Sequence, residues 1–123
     1  MTEAAPALRL IGLCAAWCGV CRQFQPAFAQ VQSSYAEQAP GFEAHWVDVE
    51  EPAISDALGE VDIETFPTVA IGYGNTLVFW GEILPSEAVL RQLIARLDAQ
   101  PSAAAQAPAL QAAWRALCAQ IWP

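Results

Sequence analysis

Cys18-Gly19-Val20-Cys21 stands where an apolar run gives way to a helical stripe, and that junction constrains the chain more than any other feature of it. Leu8 to Cys14 is a short apolar run suited to a buried strand, and it leads through Ala15-Ala16-Trp17 directly to Cys18. From Cys18 to about Gln38, Cys21, Phe24, Phe28, Val31 and Tyr35 recur at spacings of three and four, which predicts an amphipathic helix. Pro26 is expected to kink that helix, because it removes a backbone donor and crowds the preceding turn. A cysteine at a helix N-terminus meets unpaired N–H groups and the positive end of the macrodipole, both of which favour a thiolate. Cys18 is thus the candidate nucleophile, and Cys21, one turn further in, the candidate resolving thiol. The spacing by itself also suits half of a zinc site.

The rest of the chain supplies elements to pack around this junction. Phe42 to Val49 is rich in aromatic and β-branched residues and predicts a second strand after the Pro40-Gly41 turn. Ala53 to Leu58 predicts a short helix ending at Gly59. Thr68 to Tyr73 and Thr76 to Trp80 predict a hairpin around Gly74-Asn75. Pro85-Ser86-Glu87 opens a helix with Val89, Leu90, Leu93, Ile94 and Leu97 on its apolar face. Gln100 to Pro108 has the small and proline residues of a linker, and Leu110, Trp114, Leu117, Cys118 and Ile121 beyond it predict a last amphipathic helix.

Composition narrows the function. At 123 residues, 55% of them hydrophobic and 15% charged, the chain has the size of one domain with a real core. Its five basic residues, all Arg, face thirteen acids for a net charge of -8, which argues against nucleic acid as a partner, since a phosphate backbone needs a basic face. No apolar run is long enough to span a membrane, and the first residues lack the basic start and apolar stretch of a secretory signal. The expectation is a soluble cytoplasmic protein with no membrane partner. Its four cysteines could form two structural bridges in a secreted chain, whereas in a reducing cytosol such cysteines are more often catalytic, metal-binding or inert, and composition does not choose between them.

Trp17-Cys18-Gly19-Val20-Cys21, Pro26 five residues after the second cysteine, and Thr65-Phe66-Pro67-Thr68 together resemble the thioredoxin family over roughly residues 8 to 98. The resemblance implies an α/β thioredoxin-like fold, a central mixed β-sheet flanked by helices. It implies dithiol–disulfide exchange through a mixed disulfide at Cys18, with no cofactor and no metal, on a protein or small-molecule disulfide, recharged by a separate reductant. It also implies a cis bond before Pro67 and a substrate-binding surface formed by Trp17, Gly19, Val20, Phe66 and Pro67. The chain departs from the family pattern in four places. Val20 replaces the proline between the cysteines; Gly12 and Trp46 stand where the family commonly carries a buried Asp and a Lys; the usual first strand and helix have no counterpart before Leu8; and a C-terminal helix is added. Without the acid–base pair, deprotonation of Cys21 would fall to water or the partner.

Other features have blander readings. Cys14, Cys18 and Cys21 also spell C-x3-C-x2-C, a cluster-binding spacing that resembles enzymes built on much larger barrels. Cys14 is read as a small buried hydrophobe in preference to a regulatory third thiol. The lone His45 reads as structural, and the eight carboxylates from Glu43 to Glu64 as a solvated face able to steer basic partners. The alternative to an enzyme is a peptide-binding module or redox sensor with little turnover. The expected organisation is a thioredoxin-like domain over 1–98 and a linker and helix over 99–123. That tail either docks on the sheet face left bare by the missing first helix, within a monomer, or pairs with a partner or second protomer.

Overall fold

The computed structural model describes residues 8–39, 41–64, 66–99 and 107–122. Pro40, Thr65 and most of the expected linker lie outside them, as does the start of the chain before Leu8. The order is β1 (Leu8–Cys14), α1 (Gly19–Gln38), β2 (Glu43–Asp48), α2 (Pro52–Leu58), β3 (Thr68–Tyr73), β4 (Thr76–Glu82), α3 (Glu87–Ala99) and α4 (Pro108–Ile121).

The strands form one mixed sheet in the order β2-β1-β3-β4. α1 is the crossover that lets β2 run parallel to β1, with Gly12 opposite Trp46 and Cys14 opposite Asp48. β3 runs antiparallel to β1 and joins β4 in a hairpin. Gly74 supplies its turn with a φ of 58°, the left-handed backbone that the first central residue of a two-residue hairpin loop needs. β4 runs two residues further than the strand signal suggested, and the ladder shifts register after Ile71.

Period-two alternation sorts the strand residues into two cores. Leu10, Val69, Ile71 and Val78 meet Phe24, Phe28 and Val31 of α1 and Leu90 and Ile94 of α3. Arg91 ties the two helices together, donating to Ser34 at 2.9 Å and to Glu87 at 2.8 Å. On the opposite face Ile11, Leu13, Ala70 and Leu77 meet Ile54 and Leu58 of α2 and Trp114, Leu117 and Cys118 of α4. The C-terminal stripe therefore lies on the chain's own sheet.

Two details seat α4. A methyl group on Gly72 would fall 2.5 Å from the Trp114 ring, so the indole packs directly against β3 at Gly72 and donates from Nε1 to the Gly74 carbonyl at 3.1 Å. The Gln111 amide exchanges two 3.3 Å hydrogen bonds with the Leu77 backbone, satisfying outward groups of the edge strand β4. Among the described residues no helix is long and apolar enough to cross a membrane.

Candidate active site

β1 ends at Cys14, and four residues later the chain enters α1. The Cys18 N–H donates to the Ala15 carbonyl at 3.0 Å, closing a turn, and the Cys18 carbonyl accepts from Arg22 at 3.2 Å, which makes Cys18 the N-cap. Its side chain makes no capping bond and its thiol is free and partly exposed. The unpaired N–H groups of the first turn and the helix dipole are thus available to a thiolate at Cys18. Cys21 lies one turn inside the same helix and is 1% exposed.

The surface around Cys18 is apolar. Trp17 and Val20 flank it at 63% and 43% exposure, and nothing stands within 4 Å of where a side chain on Gly19 would begin. The indole of Trp17 is held on two sides: its Nε1 donates to Glu50 at 3.0 Å, and its ring meets that of Phe66 edge-on at 5.6 Å. The Phe66–Pro67 peptide is cis, Pro67 is buried, and its carbonyl accepts from Ile83 at 3.2 Å. Trp17 and Phe66 thus bring the loop before β3 next to the N-terminus of α1. Leu84 follows Ile83 at 69% exposure, a surface residue that the sequence reading did not single out.

One reading is corrected. Cys14 is joined to Cys21 in a disulfide with a Cα–Cα distance of 6.0 Å, and is no inert hydrophobe. The pairing follows from the fold: alternation puts Cys14 on the same sheet face as Leu10, the face that α1 covers, and Cys21 is the first inward residue of that helix. Both cysteines line a cavity of about 360 Å³ shared with Arg22, Trp46, Asp48 and Glu51. Asp48 is the register partner of Cys14 and accepts from the Glu50 N–H at 2.9 Å. Sequence alone places these carboxylates on a solvated acidic face, and the Asp and Lys of the family pattern would stand instead at Gly12 and Trp46. Those two positions are packed together under the rings of Phe24 and Phe28.

The remaining candidates lie elsewhere. His45 is exposed on β2 with its ring 6.5 Å from that of Trp122, and so belongs to the α4 side of the sheet. Cys118 is buried in α4; burial pushes its thiol above the ordinary 9.0, against the opposing pull of Arg9. Among the described residues no group of three or more His, Cys, Asp and Glu side chains could hold a metal ion.

The family model for thioredoxin matches residues 3–90, a stretch that ends before α4. The chain is 31% identical over 61 residues to mitochondrial thioredoxin O2 of Arabidopsis thaliana, a match covering 50% of this chain and 36% of that protein. It thus spans about a third of that relative's length. Its fold is similar to that of the germline thioredoxin Deadhead of Drosophila melanogaster, at a TM-score of 0.62 and 17% identity over 75% of this chain and 82% of that one. It is also similar to mitochondrial thioredoxin 3 of Saccharomyces cerevisiae in its oxidised form, at 0.60 and 25% identity over 75% and 80% of the two chains.

Proposed function

Because the chain belongs to the thioredoxin family, we propose that it is a thiol–disulfide oxidoreductase in which Cys18 attacks a partner's disulfide and Cys21 releases the partner. The carrying observation is the contrast within one helix turn: Cys18 is a partly exposed thiol at the N-cap of α1, and Cys21 is buried three residues on.

The exchange starts with the Cys18 thiolate attacking one sulfur of the partner's disulfide. That bond breaks, a Cys18–partner bond forms, and the departing thiolate takes a proton from water. Cys21, freed from Cys14 by prior reduction of their disulfide by a dithiol and deprotonated, then attacks the Cys18 sulfur and expels the second partner thiolate, leaving Cys18–Cys21 oxidised and the partner reduced by two electrons. A dithiol reductant restores the site. Trp17, Val20 and Phe66, with Leu84 beside the Pro67 loop, offer a flat apolar surface to the partner's chain, and Glu50, Asp48 and Glu51 give its edge a negative field that suits basic segments. A reducing compartment such as the cytosol favours this direction.

A second reading, a binding module or redox sensor with slow turnover, draws on one observation: Trp46 and Phe28 pack over Gly12, so the buried Asp of the family pattern has no place there and the Cys21 proton is left to the cavity carboxylates Asp48 and Glu51. Reduction of insulin by the protein with dithiothreitol, followed as turbidity, tests the choice. The oxidoreductase predicts a rate well above that of dithiothreitol alone, abolished by Cys18→Ser. A rate equal to the reductant alone, with peptide binding retained in Cys18→Ser, Cys21→Ser protein, overturns it in favour of the module.

A further inference from the structure

We propose that Cys14 is a third redox-active thiol that competes with Cys18 for the sulfur of Cys21, so that the oxidised protein returns to a state with its disulfide buried and Cys18 free. The proposal rests on the assignment of Cys18 and Cys21 to disulfide exchange and adds a step to it.

Cys21 has a cysteine on either side. Cys18 lies three residues before it at the N-cap of α1, and Cys14 lies across from it at the end of β1 with a Cα–Cα distance of 6.0 Å. One sulfur can bond only one of them at a time. The two pairings differ in what they expose: Cys14 and Cys21 are each 1% exposed, whereas Cys18 is partly open to solvent and is the cysteine left unpaired here.

The step conserves electrons. The Cys14 thiolate attacks the Cys21 sulfur of a Cys18–Cys21 disulfide; a Cys14–Cys21 bond forms as the Cys18–Cys21 bond breaks, and Cys18 departs as a thiolate. No oxidant is consumed. The Cys14 proton leaves through the cavity that both sulfurs line, where Asp48 and Glu51 supply carboxylates beside it. The departing Cys18 sulfur is received by the unpaired N–H groups of the α1 N-terminus, which favours it as the leaving group. An oxidised chain would therefore keep a nucleophile on its surface and could take up a low-molecular-weight thiol or a second partner disulfide without first being reduced.

Excess dithionitrobenzoate added to the reduced full-length protein under native conditions reads the step directly. Cys18 releases one thionitrobenzoate, Cys21 a second as it closes on Cys18, and exchange to Cys14 frees Cys18 to release a third. The expected result is about three released per chain, with peptide mapping after acid quench locating a Cys14–Cys21 disulfide and the remaining adduct on Cys18. Cys14→Ala is expected to release about two and to hold Cys18–Cys21 with no adduct on either. The proposal is overturned if the wild-type chain stops at two with Cys18–Cys21 linked, or if the third adduct sits on Cys14. Insulin reduction by that same wild-type protein would leave the oxidoreductase reading standing while this step fails. Failure of both Cys18 and Cys21 to react would remove both.

Discussion

The ring of Trp46 occupies the place that a side chain on Gly12 would take: a methyl group there would lie 2.8 Å from Trp46 Cε3 and 3.0 Å from Phe28 Cε2. The two residues are register partners on adjacent parallel strands, so a large residue on one strand is matched by none on the other. Gly12→Ala should therefore overpack the core between β1, β2 and α1 and cost about 1–3 kcal/mol. Gly12→Asp should cost more, because it also buries a carboxylate among aromatic rings. Urea unfolding of the two variants checks both, and an unchanged midpoint for Gly12→Ala would show that the rings yield freely.

The tail helix is expected to be part of the folded unit. Trp114 is fully buried, packed on Gly72 and hydrogen-bonded to the Gly74 carbonyl, so Trp114→Ala should destabilise the protein by about 3–5 kcal/mol. Gly72→Ala should lift the same indole from β3 and also lower stability, since its new methyl would meet backbone as well as ring. Thermal unfolding of each measures this. A wild-type midpoint in Trp114→Ala, together with loss of a dimer, would assign the stripe to a partner instead.

The free cysteines should separate by reactivity. Brief iodoacetamide treatment of the native protein is expected to label Cys18 at the helix N-terminus and spare Cys118, which reacts only on unfolding. Because burial raises the Cys118 thiol above 9.0, its neutral form stabilises the fold below that pH; as pH rises past 9.0 the unfolded chain ionises first and the contribution is lost. The stability advantage of wild type over Cys118→Ala should thus narrow above that pH, and denaturation midpoints across the alkaline range report it. A constant difference would contradict the burial account.

The elements were readable because their signals are local. The stripe from Cys21 to Val31 gives α1, the alternation on either side of Gly74 gives the hairpin, and the apolar face of Pro108–Ile121 gives α4. The placement of Cys18 and Cys21 at the start of α1 was legible for the same reason, since a strand, a short turn and a helix start lie within one short stretch. The pairing of Cys14 with Cys21 was hidden because it depends on which face α1 covers, and the place of Asp48 beside Cys14 because it follows only from the parallel register of β2 on β1. Both are products of tertiary pairing between segments that show no mutual preference in sequence. Leu84 was missed because an isolated exposed leucine carries no pattern, and only the Ile83–Pro67 hydrogen bond brings it beside the cis peptide.

In the proposed exchange Cys18 forms the bond to the partner and Cys21 breaks it. The most direct measurement is the mass of the covalent species formed with a disulfide-bearing peptide and quenched in acid without reductant. In a Cys14→Ala, Cys21→Ser variant the resolving thiol and its disulfide partner are both gone, so a peptide adduct should accumulate on Cys18; in Cys18→Ser no adduct should form. Equal adduct in the two proteins, or an adduct mapped to Cys21 or Cys14 in Cys18→Ser, would contradict the assignment.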